Sequence, residues 1–359
     1  HMSDIMANHR FNAQMFGAMD FRTSIMSLEY EYLKKRIDFR FKFTKDALYW
    51  DPGTIIHKYR MNKYEVSMSY PFNPMMRVSL TPFYSNTKYN PLRNTNIVQA
   101  VATPETFTDY LGYNFEFNFD NTRSRGLNMV VGSRIKFGIT SQAALNAKNK
   151  NFTKLSIDAR NYVPLLKNLI LANRFSAGTF LGRGRKNFLL GGMDNWLFNS
   201  TNVDDQNNPL ITSPGEDNTD LLFLEYVTNL RGFPYSQLFG NNYVLYNLEL
   251  RVPFFRSLIR RQIKSNFIRN FQVVGFYDIG TAWSGEAPFA GNNSFNTQII
   301  TRDPFTAVVT NYRNPFLQGY GFGFRSMVLG YYGKLDFAWG QTDYVTGPVK
   351  VYLTLGYDF

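Results

Sequence analysis

The residue types behind most enzyme chemistry are thinly supplied in this chain. Histidine occurs only at His1, His9 and His57, and cysteine is absent. That excludes thiol nucleophiles, thiolate metal sites and a disulfide framework. There is no Gly-x-Ser-x-Gly elbow and no His-Glu-x-x-His pair, and Gly182-Arg183-Gly184 lacks the rest of a phosphate loop. Asp204, Asp205, Glu216, Asp217 and Asp220 cluster, but not at the ligand spacing of a calcium loop, and read as a solvated acidic stretch. The expectation is no catalytic residue, no metal and no cofactor. What remains is fixed-charge chemistry. Arg231 stands in a long irregular stretch, followed by Gly232 and Phe233. A guanidinium offers five donors in a rigid fork and does not deprotonate. Asp278 lies in an apolar segment, on the strand face opposite Tyr277 and Ile279. An Arg–Asp pair of this kind would pin one segment to another.

The elements that must position these groups are strands. Ile37–Phe43, Tyr113–Phe119 and Val244–Val252 alternate apolar and polar residues at period two. In Val244–Val252 the apolar residues share one face, opposite Asn247, Glu249 and Arg251. The last segment puts Val351, Leu353, Leu355, Tyr357 and Phe359 on one face. Fourteen candidate strands follow: 12–20, 25–33, 36–44, 64–70, 77–84, 111–121, 127–139, 153–163, 169–180, 243–252, 271–281, 319–328, 334–340 and 350–359. Short turns are expected at Leu33–Arg36, Asn121–Gly126 and Tyr331–Gly333, and long connections at Thr87–Asp109, Gly182–Asn242 and Ser284–Phe316.

Alternation alone fits a soluble sandwich or a membrane barrel, since both have one apolar face. The aromatic load decides for the barrel. The chain of 359 residues carries 34 Phe, 23 Tyr and 4 Trp, which also excludes disorder. The apolar faces are rich in these rings, and segment after segment approaches the ~9–11 residues needed to cross a bilayer. No apolar run is long enough for a membrane helix. The fold class is therefore all-β, a transmembrane antiparallel β-barrel with 14 strands in this chain. Even strand numbers admit 16 for an intact protein. His1-Met2 reads as an expression scar and residues 3–359 as one barrel domain, with the 182–242 loop entering the lumen.

The order Leu230-Arg231-Gly232-Phe233, Tyr243–Pro253, Phe276-Tyr277-Asp278-Ile279-Gly280, Gly319–Arg325 and a terminal strand ending in Phe359 resembles the barrel of the BamA-type outer-membrane assembly and translocation superfamily. Ser3–Arg10, Gly191–Phe198 and Asn270–Trp283 are most similar to a subgroup whose barrel follows a TolB-like β-propeller. The resemblance implies that Arg231, Gly232 and Phe233 form the tip of a lumen-entering loop. Asp278 and Gly280, with Gly319, Gly321 and Gly323 on the next strand, would receive it. Tyr357 and Phe359 would serve as the terminal-strand signal. It implies a bacterial outer-membrane location and a role in assembling or translocating proteins there. The partners implied are outer-membrane lipid and lipopolysaccharide, polypeptide substrates, and periplasmic or outer-membrane partner proteins. A plugged anchor for a periplasmic domain and a diffusion pore stand as alternatives. The residues carry the same expectation physically: a row of inward glycines leaves room for backbone or a bulky side chain to approach closely.

Two further constellations follow from charge. The expected lumen lining mixes signs: Glu29, Glu31, Asp38, Arg40, Lys42, Glu116, Arg134, Lys136, Asp158, Arg160, Glu249, Arg251 and Asp336. Interleaved signs favour cross-strand bracing over an ion pathway. Lys and Arg total 39 against 27 Asp and Glu, a net charge of +12. Arg256, Arg260, Arg261, Lys264 and Arg269 alternate with apolar residues on the rim opposite the Arg231 loop, where anionic headgroups would meet them. No nucleic-acid motif accompanies this basicity, so nucleic acid is not an expected partner.

Overall fold

The computed structural model describes residues 2–3, 8–17, 23–50, 56–92, 106–166, 168–202, 219–259, 261–289, 297–302, 305–310 and 314–359. The acidic residues Asp204, Asp205, Glu216 and Asp217, the side chain of Asp220, and Arg260 and His1 lie outside the described residues.

One antiparallel sheet of sixteen strands dominates, with two short members, Met2–Ser3 and Arg123–Gly126. The remaining fourteen are β1 His9–Gly17, β2 Ser24–Tyr32, β3 Asp38–Trp50, β4 Ile56–Asn73, β5 Met76–Leu92, β6 Thr106–Asp120, β7 Met129–Ala144, β8 Phe152–Leu166, β9 Leu169–Gly182, β10 Asn242–Val252, β11 Gln272–Trp283, β12 Leu317–Val328, β13 Tyr331–Thr342 and β14 Val345–Leu355. Each pairs with its sequence neighbour, so the order is that of an up-and-down barrel wall.

The wall differs from the sequence reading in three places. First, β3 to β6 run longer than the alternation marks. β4 has 18 residues, about 60 Å at ~3.3 Å per residue. That exceeds a ~30 Å hydrocarbon core even with tilt. The Thr87–Asp109 connection therefore shrinks, because β5 continues to Leu92 and β6 starts at Thr106. Second, the turn placed at Tyr331–Gly333 is Leu329-Gly330, both at positive φ. Third, β14 stops at Leu355. Gly356, at φ +110°, turns the chain, so Phe359 leaves the outward face and becomes 8% exposed.

The apolar face points outward. Phe41, Tyr64, Leu80, Leu111, Phe175, Tyr246, Phe322 and Val351 are all exposed. A soluble protein does not display an apolar surface of that extent. In a bilayer the same surface meets acyl chains.

The described residues of 183–202 and 219–241 fill part of the interior. Phe188–Leu190 pairs parallel with Glu225–Val227 and antiparallel with Leu238–Gly240. This small sheet carries Phe188, Leu190, Val227, Leu230, Phe233 and Leu238 into a buried cluster with Phe180, Tyr243 and Leu245 of the wall. The lumen is therefore not uniformly polar. At its loop-proximal end, Tyr243 and Leu245 face inward because the plug supplies them with an apolar partner.

Candidate functional site: a buried charge cluster beneath the plug

Arg231 sits at the tip of the plug, fully buried. The backbone reaches the wall because β12 presents glycine there. A Cβ on Gly319 would lie 1.9 Å from the Arg231 carbonyl oxygen. Gly232 adopts φ +94°, and a Cβ on it would meet the Gly340 backbone at 2.5 Å. The Tyr352 hydroxyl ties the tip down. Oη accepts from Gly232 N–H at 2.8 Å and donates to the Phe233 carbonyl at 2.8 Å.

The guanidinium has three carboxylates around it. Nε and Nη2 donate to Asp278 at 2.6 and 2.8 Å, a two-pronged contact. Nη1 donates to Glu249 Oε1 at 2.7 Å and lies 4.0 Å from Asp336. The Phe276 ring stacks 3.7 Å from its central carbon. Burial by itself works against the cation. Asp278 and Glu249 outweigh that and hold the Arg231 guanidinium well above its ordinary range. Asn247 Nδ2 adds a bond to Asp278 at 2.7 Å.

The cluster continues toward the C-terminus. Arg251 donates to Glu249 Oε2 at 2.9 Å and to the Phe359 carbonyl at 3.0 Å. Arg325 donates to Asp336 at 2.7 Å and to Asp358 at 3.0 Å. Lys334 lies 3.3 Å from Asp358. Asn128 donates to Asp358 at 2.7 Å and accepts from its backbone N–H. Burial pushes the Asp358 carboxyl up, but Arg325, Lys334 and Arg251 together hold it far below the usual carboxylate range. Phe359 packs on Met129, Tyr162, Ile170 and Ala172. Four cations and four side-chain carboxylates thus form one chain from plug tip to tail.

The structure brings Arg231, Gly232, Phe233, Asp278 and Gly319 into direct contact. Gly280 lies under the plug, where a Cβ would meet Leu245 and Leu190 at 3.0 and 3.3 Å. Gly321 and Gly323 do not touch the tip. A Cβ on Gly321 would strike the Phe337 carbonyl, and one on Gly323 would strike the Asp336 carboxylate. Tyr357 is exposed and lies beyond the last strand, while Phe359 turns into the lumen. The pair therefore does not continue the lipid face, because Gly356 reverses the chain. Sequence reasoning placed Glu249 and Asp336 only in a general lining. It missed Tyr352, Asn128, Arg325, Lys334 and Asp358. The one available signal for Tyr352 was its inward parity on the last strand, opposite Val351 and Leu353.

Elsewhere the lining braces the wall with partly exposed pairs, some as short as Arg160–Asp158 at 2.6 Å. Lys136–Glu116 spans 3.1 Å, Arg77–Asp38 3.4 Å and Arg40–Glu29 3.9 Å.

Among the described residues no ladder joins β14 to β1. Part of the outer edge of β14 is met by the plug instead. Leu197 N–H donates to the Leu353 carbonyl at 3.0 Å, Asn195 Nδ2 donates to the Leu355 carbonyl at 3.1 Å, and Trp196 bridges Thr354.

An apolar-outside, plugged, sequentially paired barrel with a buried Arg at the plug tip is an outer-membrane-type fold. The Omp85 superfamily domain matches residues 20–359, and the chain belongs to that superfamily. Among solved structures it is similar to BamA from Haemophilus ducreyi lacking POTRA domains 1–3. There the identity is 13%, the coverage 93% of this chain and 62% of that one, and the TM-score 0.55. It is also similar to CdiB from Escherichia coli, at 12% identity, 98% and 57% coverage and TM-score 0.51. The chain thus spans about three fifths of these neighbours' length. No curated protein sequence matches it.

Proposed function

We propose that this chain is the membrane barrel of a bacterial outer-membrane protein that assembles or translocates polypeptides. The observation that carries this reading is the β14 edge. Its outward backbone groups at Leu353 and Leu355 are met by a plug segment rather than by a strand of the wall. A strand edge with open main-chain groups is a template for an added strand. In the proposed mechanism the Arg231 cluster keeps β10 to β14 in fixed register. An incoming polypeptide segment would then compete with Asn195–Leu197 for the β14 edge. The Gly191–Phe198 segment that does this is also one of those resembling the propeller-bearing subgroup, which supports a place beside it.

The test is photocrosslinking in cells. A photoreactive residue replaces Val349 or Val351 on β14, and a control replaces Tyr246 on β10. Cross-links to outer-membrane polypeptides from β14 alone support the reading. Their absence, with normal outer-membrane protein levels in an Arg231→Gln strain, sinks it. The apolar plug favours a second reading, a closed anchor that displays a periplasmic partner. That reading expects no conductance in planar bilayers and no cross-linked polypeptides, whereas a diffusion pore conducts.

A further inference from the structure

The rim that carries the short turns has one long connection, Pro253–Phe271, between β10 and β11. It folds as two short helices, α1 Phe254–Leu258 and α2 Asn266–Asn270. Neither is long enough to form an N-terminal anion site, so the side chains must carry any recognition. The connection contains no acidic residue. Arg256, Arg261, Lys264 and Arg269 are all exposed. Among the described residues none of the four pairs with a carboxylate. Arg256 donates to the Arg125 carbonyl and Arg269 to Asn266.

The connection does not hang free in water. Its α2 end lies against the outward wall of the barrel. The Phe271 ring stacks on Phe324 at 5.9 Å and 25°, and the Ser326 hydroxyl donates to the Phe267 carbonyl at 2.7 Å. Between α2 and strands β12 to β14 runs an apolar groove of about 380 Å³, lined by Phe267, Phe271, Phe324, Val328, Leu335 and Leu353. Phe324, Leu335 and Leu353 belong to the lipid-facing side of their strands. The groove therefore opens where acyl chains already are, and the cationic connection borders it at the level of the rim. Leu258, Phe267 and Ile268 stay exposed beside the cations, as in a surface that sits in an interface.

We infer that this groove and its basic border bind an anionic phospholipid of the leaflet at the short-turn rim. The acyl chain lies in the groove, and the phosphate meets Arg261, Lys264 and Arg269. The charge complementarity and the continuity with the lipid-facing wall both specify an amphiphile with an anionic head. This inference does not depend on polypeptide handling.

The experiment uses the full chain in nanodiscs of phosphatidylcholine containing a small fraction of phosphatidylglycerol with matched acyl chains. Mild detergent extraction and native mass spectrometry count the lipids retained. The wild-type chain is expected to retain phosphatidylglycerol preferentially. The variant Arg261→Gln/Lys264→Gln/Arg269→Gln should lose that preference by about tenfold or more, given roughly fivefold for each basic residue near a charged surface. The control Lys34→Gln/Lys35→Gln/Arg36→Gln removes equal charge from the same rim at the exposed 34–37 turn, which lacks the groove, and should keep the preference. Phe267→Ala, which removes a groove wall and no charge, should lower retention of phosphatidylglycerol. Equal retention of both lipids by the wild type would overturn the inference. So would equal losses in the two triple variants, which would reduce the effect to diffuse electrostatics.

Discussion

The two halves of the barrel wall solve the same problem in opposite ways. β1 to β6 hold their inward charges in partly exposed pairs such as Arg40–Glu29 at 3.9 Å, where the Arg40 side chain is 47% exposed. Those of β10 to β14 are dry: Arg231, Glu249, Asp278, Asp336 and Arg325 are sealed under the plug at 2.6–2.7 Å between nearest partners. Both halves alternate in sequence and both carry inward charges. The difference is the plug, which seals the charges of β10 to β14 from water, whereas the fully buried groups of β4 to β6, such as Tyr59, Tyr89 and Tyr110, carry no charge. In water an ion pair contributes little, because solvent already stabilises the separated charges. Without water every charge needs its partner, so the pairs become obligatory. The dry half is a single cooperative unit, and the wet half is a set of replaceable braces.

The sharpest way to break that contrast is Arg231→Ala. It strands Asp278 and Glu249 as buried, uncompensated carboxylates, and about 3–5 kcal/mol of stability should be lost. Thermal unfolding of the purified chain in detergent would register it as the largest drop in the set. Gly319→Ala should come next, at about 1–3 kcal/mol, because the added methyl group overlaps the Arg231 carbonyl and must push the tip away. Limited proteolysis should then cut within 183–202 or 219–241 faster than in the wild type. If Gly319→Ala leaves both readouts unchanged, the plug is not seated by close backbone approach.

Acid should act through the tail. The folded Asp358 carboxyl titrates far below its unfolded value of about 4. Its contribution is therefore complete above about pH 4 and falls as pH drops below that toward the folded value. Unfolding temperature should decline over that window, and Asp358→Asn should flatten the decline. The smallest effect belongs to the wet half. Arg40→Gln should cost about 0–1 kcal/mol. A loss there as large as that of Arg231→Ala would erase the distinction between the halves.

How far the site was legible in sequence follows from the same contrast. Asp278 was legible because a lone carboxylate between Tyr277 and Ile279 has a definite strand parity. The glycines of β12 were legible as a row, but only Gly319 touches the plug tip. Gly321 and Gly323 make room for groups of the wall itself. Tyr352 had only its inward parity, and Asn128 and Asp358 carried no mark at all. Their roles depend on residues far apart in the chain meeting at one point.

The sequence by itself determined which side of each strand is apolar, because a period of two leaves no other choice once a strand forms. Together with the aromatic load of those faces, it pointed to a barrel facing lipid and to fourteen strands. Only the tertiary structure decided where water is excluded. A lumen-facing Glu or Arg reads the same in either half, yet the plug makes one set a buried lattice and leaves the other wet. Likewise Phe359 keeps the parity of a lipid-facing residue. Its turn into the lumen was decided by Gly356 and by the cations waiting for Asp358 and the terminal carbonyl.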